Sequence, residues 1–108
     1  MRFLCAFLSG LCVKALTTLM IHITIRVIGK VQGVNYRFYA RKKAEDLGLA
    51  GFVKNEHDGS VFIEAEGHFE QVDKFVEWCK EGPPRAIVEN VITKGGEVRS
   101  FTGFEIRT

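Results

Sequence analysis

Cysteine is scarce in this chain and poorly placed for cysteine chemistry. Cys5, Cys12 and Cys79 are odd in number and irregularly spaced, which argues against a disulfide framework and against a CxxC metal or redox motif. The three histidines, His22, His57 and His68, lack i,i+4 pairing and cysteine neighbours, so no metal site is expected. Excess charge is missing too. Arg2 and Lys14 are two of the 15 basic residues and precede Met20; the remainder equal the 13 Asp and Glu, leaving residues 20–108 electrically neutral. Neutrality removes the electrostatic basis for binding nucleic acid or an anionic membrane, although a local positive site stays possible. No apolar run is long enough to span a bilayer: the longest, Phe3 to Val13, is signal-like in length and is followed by Lys14. Residues 1–19 are read as a leader or upstream-start extension of a cytoplasmic protein, with export as the alternative, and residues 20–108 as one domain.

Within that domain the side chains alternate at once. Ile21, Ile23, Ile25 and Val27 fall on one face of a strand and His22, Thr24 and Arg26 on the other. After a glycine-containing loop, Tyr36, Ala40, Ala44 and Leu47 form an apolar helical stripe that ends at Gly48. GFVKN (51–55), the EHDG turn and SVFIEAEG (60–67) read as a hairpin, with Val61, Ile63 and Ala65 inward and Phe62, Glu64 and Glu66 outward. Phe69, Val72, Phe75, Val76 and Cys79 define a second amphipathic helix, which Gly82, Pro83 and Pro84 terminate; Cys79 acts there as a small hydrophobe. A strand over 86–93, a Gly95-Gly96 turn and a short FEIR strand (104–107) complete the chain. The order β-α-β-β-α-β is that of a ferredoxin-like α/β sandwich, an α+β fold with two helices on one face of an antiparallel sheet and the other face open.

The stretch GKVQGVNYR (29–37) interrupts the first strand and enters the first helix. Glycines permit unusual backbone angles, and the N–H groups at a helix start lack intrahelical acceptors, so the loop suits an anion such as phosphate. Arg37 adds a planar fork of donors for phosphate oxygens. The pattern is neither GxGxxG nor GxxxxGK[ST], so no nucleotide is implied. The split β-α-β topology puts the ends of strands one and two on one edge, bringing Asn55 toward the loop from about twenty positions away. RNA-binding domains share this element order, but their third strand carries basic and aromatic residues where this one reads SVFIEAEG.

With GKVQGVNYR, AEDLGLAGFVKN and DGSVFIEAEG in view, the sequence resembles the acylphosphatases from about Ile21 to Thr108. The resemblance implies a small, monomeric enzyme without metal or other cofactor, hydrolysing the carboxyl–phosphate bond of small acyl phosphates, with inorganic phosphate as product and competitive ligand. It assigns phosphate binding to Arg37 and to the backbone of Gln32, Gly33, Val34, Asn35 and Tyr36, and the positioning of water to Asn55. Two positions depart from the family pattern. Tyr36 stands where phenylalanine is usual, so a buried hydroxyl there needs a partner, and Glu56 replaces a small hydroxyl residue.

Overall fold

Strand β1 (Met20–Lys30) begins the part of the chain that the computed structural model describes, residues 19–108. Residues 1–18 of the leader, with Cys5 and Cys12, lie outside the described residues. Ile25 and Val27 of β1 are fully buried, opposite Ile63 and Val61 of β3 (Val61–His68). β2 (Ala50–Asn55) pairs with the other side of β3, so β1 and β2 run parallel with β3 between them. Helix α1 (Tyr36–Asp46) buries Tyr36, Ala40 and Ala44, while α2 (Phe69–Glu81) buries Val72, Phe75 and Cys79. Both sets join Ile25, Val27, Val53, Val61, Ile63 and Ala65 in one apolar core, the expected α+β sandwich. Phe69, expected on the α2 stripe, is instead exposed in the first turn, where the His68 ring nitrogen caps the Glu70 N–H at 3.3 Å.

Three expectations need correction. Gly95 and Gly96 do not form a turn; they extend β4 (Ile87–Gly96), which pairs with β1 as far as His22, because β1 itself runs back to Met20. The sheet is not wholly antiparallel. Its order is β4-β1-β3-β2-β5, and β5 (Phe104–Arg107) lies parallel to β2. To reach that edge from β4 at the opposite one, residues 97–103 cross the second face of the sheet, which is therefore not open. Phe101 stacks on His22 at 5.8 Å between ring centroids and meets Phe52 edge-on at 5.9 Å.

Glu66 anchors this crossing segment. Alternation places it on the second face, as expected, yet it is only 4% exposed, and His22 beside it only 2%. Its carboxylate accepts the backbone N–H groups of Arg99 at 2.8 Å and Phe101 at 2.5 Å, and lies 3.0 Å from His22 Nδ1. Alternation identifies the face of a residue; it cannot show that a segment more than thirty residues downstream will cover that face. Burial works to raise the Glu66 pKa, but the Arg99 N–H, the His22 ring and the Phe101 N–H together outweigh it and hold the carboxyl below its ordinary value.

A carboxyl lowered in this way stabilises the fold above its ordinary pKa, and that contribution is lost as pH falls through the lowered value. Glu66→Gln should cost about 1–3 kcal/mol at neutral pH, because a carboxamide cannot serve two N–H donors and the imidazole equally well. It should also flatten the acid limb of the stability curve. Guanidinium unfolding of both proteins at neutral and acid pH measures this, and parallel pH dependences would contradict it.

Candidate anion-binding site

The end of β1 is shaped by close packing before any ligand is considered. Gly29 pairs with β4 where the register shifts, and a side chain there would run into the backbone carbonyl of Ile87. Its glycine is therefore explained by strand packing. Val31 and Val34 then anchor the loop in the core, at 1% and 9% exposure. The Gln32 side chain ties the loop to the β2–β3 turn, donating to the carbonyls of Glu56 at 2.7 Å and Ser60 at 2.9 Å. That turn is itself closed by Asp58, which accepts the Ser60 hydroxyl at 2.6 Å and the Ser60 N–H at 2.9 Å; these two bonds hold the Asp58 carboxyl below its ordinary value.

Gly33 and Asn35 both adopt left-handed backbone angles, φ 76° and φ 62°, with Val34 between them. Gly33 is free of steric conflict with its surroundings, so it is the backbone angle that calls for glycine there. Asparagine is among the few other residues that tolerate this conformation. Such turns direct successive N–H groups toward one side, as in anion-binding nests. Asn35 occupies the N-cap of α1, but its side chain makes no capping hydrogen bond, and the first turn contains no acidic residue. The first-turn N–H groups thus keep their capacity for an external acceptor at the positive end of an eleven-residue helix.

Arg37 stands in that first turn. Its Nη1 donates to the Arg107 carbonyl of β5 at 3.0 Å, and no carboxylate pairs with it among the described residues. Asn55 ends β2 opposite Val61, half-buried, and its side-chain amide has no protein hydrogen-bond partner among the described residues. Gly33, Asn35, Tyr36, Arg37 and Asn55 share the lining of one cavity of about 180 Å³. Liquid water takes about 30 Å³ per molecule, so a small anion with an accompanying water fits the space. Gln32 and Val34, assigned with them from the sequence, are not in this lining: one side chain holds the loop to the turn and the other packs in the core. The lining contains no histidine, cysteine or carboxylate. Glu56 turns elsewhere, lying 3.7 Å from Arg26 and 3.8 Å from Lys54.

Phe38, Ile106 and the Arg107 carbonyl also belong to this region and were not found from the sequence. An exposed apolar residue next to Arg37 was a usable signal for Phe38. FEIR was read as a strand, but nothing local marked its place beside this site, which depends on the crossing segment.

In this ferredoxin-like domain an uncapped helix start and a guanidinium without a carboxylate partner among the described residues line one small cavity, an arrangement suited to a small anion. The comparisons narrow that class. The acylphosphatase family model matches residues 23–106. An acylphosphatase of Acaryochloris marina is 50% identical over 80 residues, covering 74% of this chain and 86% of the relative. One from Archaeoglobus fulgidus is 44% identical over 87 residues, covering 81% and 98%. The solved structure of an acylphosphatase from Coxiella burnetii superposes with a TM-score of 0.79 at 42% identity, over 82% of this chain and 93% of that one. The chain belongs to the acylphosphatase family.

The Tyr36 hydroxyl has the partner it requires. It donates to the Cys79 carbonyl at 2.8 Å, in the last turn of α2, where carbonyls lack intrahelical donors. Burial, foremost, raises the Tyr36 pKa far above its ordinary value, and burial pushes the Cys79 thiol up to about 12, so both groups stay protonated. Tyr36→Phe should lower stability by about 1–2 kcal/mol by orphaning that carbonyl. Phosphate affinity should be essentially unchanged, since the hydroxyl is engaged by the Cys79 carbonyl on the buried side of the helix. Denaturant unfolding beside phosphate titration checks both; a variant of undiminished stability would contradict the assignment.

Proposed function

We propose that the protein hydrolyses small acyl phosphates to a carboxylate and inorganic phosphate through Arg37, Asn55 and the amides of residues 32–36. The observation that carries this reading is the meeting, in one cavity whose lining offers no protein base, of uncapped α1 amides with Arg37 and the Asn55 amide, the one without a carboxylate partner and the other without a hydrogen-bond partner among the described residues. Arg37 and the amides bind the phosphoryl oxygens and neutralise their charge. The Asn55 amide orients a water in line with the acyl oxygen. The water oxygen bonds to phosphorus as the bond from phosphorus to the acyl oxygen breaks, and the carboxylate departs with the electron pair. The water's proton passes to a phosphoryl oxygen. A carboxylate is a good leaving group, so placement and charge neutralisation suffice for a loose transition state. The reading requires no metal, nucleotide or covalent phosphoenzyme, and it places a monomeric enzyme in the cytoplasm, with residues 1–19 outside the catalytic domain.

Hydrolysis of benzoyl phosphate in a chelator should proceed undiminished. Arg37→Ala should lower kcat/KM by at least about 10²–10³-fold, the scale for removing one transition-state donor, and should weaken competition by inorganic phosphate. Asn55→Ala should lower kcat by a similar factor with little change in KM, because water placement acts on the chemical step. Full turnover by Asn55→Ala would remove water positioning from its role, and chelator-sensitive activity would overturn the metal-free mechanism.

A further inference from the structure

We infer that Phe38 and Ile106 form an apolar subsite for the acyl group and give the enzyme a preference for bulky, aromatic acyl phosphates. The inference rests on the acylphosphatase reading and extends it to the substrate. Phe38 follows Arg37 in the first turn of α1 and is 53% exposed; Ile106 of β5 is 37% exposed, and both line the cavity that contains Arg37 and Asn55. They come from opposite sides of the molecule's sequence. Ile106 is placed by the parallel pairing that sets it beside Val53, two residues before Asn55, and the bond from Arg37 to the Arg107 carbonyl holds that strand against the phosphate end. The Phe38 ring is supported edge-on by Tyr39, with centroids 5.3 Å apart and planes at 78°.

An acyl phosphate is a rigid link between two unlike ends. If the α1 amides and Arg37 grip the phosphoryl group, the acyl group must project from them along the cavity wall, and two exposed apolar side chains are what it meets there. A phenyl ring covers both and removes their surface from water together with its own, whereas the methyl of acetyl phosphate covers little. Apolar contacts of this kind separate substrates by roughly ten- to 200-fold per methylene in an enclosed pocket. An open wall stands at the low end of that scale.

The experiment compares kcat/KM for benzoyl phosphate and acetyl phosphate in wild-type enzyme and in Phe38→Ser, Phe38→Leu and Ile106→Ser. Wild type should favour benzoyl phosphate, and each serine variant should reduce the benzoyl-to-acetyl ratio by about three- to tenfold, toward the low end for an apolar contact. Phe38→Leu, which keeps an apolar wall, should retain most of the preference. Far-ultraviolet circular dichroism and the inhibition constant for inorganic phosphate report whether the fold and the phosphate end survive. Ratios unchanged in both serine variants, with both substrates still cleaved, would overturn the subsite while leaving the acylphosphatase reading intact. A wild-type enzyme that cleaves neither substrate would overturn that reading and the subsite with it.

Discussion

The site depends on a helix start that the protein leaves uncapped. At the first turn of α1 a side-chain cap would satisfy one of the orphan N–H groups, and an acidic residue would neutralise the positive end of the helix; neither is present. The chain accepts two left-handed residues, Gly33 and Asn35, to shape the approach. A short polar cap is typically worth about 1 kcal/mol. Its omission is understandable if an external anion supplies the missing acceptors when bound.

Arg37 links this helix start to the rest of the architecture. Its guanidinium holds the Arg107 carbonyl, so β5, the last strand of the sheet, is part of the wall beside the anion site. β5 reaches that position through residues 97–103, which the buried Glu66 carboxylate secures across the second face of the sheet. The Arg107 side chain continues the connection from the other side, lying 4.0 Å over the Phe52 ring. A fold that alternation alone would leave with one bare face is thereby closed, and the closing segment delivers a strand to the site.

Much of this was legible in the sequence, for local reasons. The β1 alternation, the stripes of α1 and α2, the hairpin and the meeting of Arg37 and Asn55 at one cavity follow from periodicity, turn residues and the topology of the split β-α-β unit. FEIR was correctly read as a strand, but its parallel direction was not, since pairing direction depends on the route taken by residues 97–103. For the same reason His22 and Glu66 looked like residues of an open face. Gly29 was read as loop chemistry and proves to be the point where β4 approaches too closely for a side chain. Sequence spacing reveals which residues can share an element; it says little about contacts made across seventy positions, such as that of Arg37 with Arg107.

Amide chemical shifts followed by nuclear magnetic resonance during titration with inorganic phosphate test the central claim most directly. The N–H resonances of Gly33, Asn35, Tyr36 and Arg37 should move together and saturate with a single dissociation constant, and the Asn55 side-chain amide should respond with them. Shifts scattered over the exposed lysines of α1 and α2, without saturation at the helix start, would contradict the account.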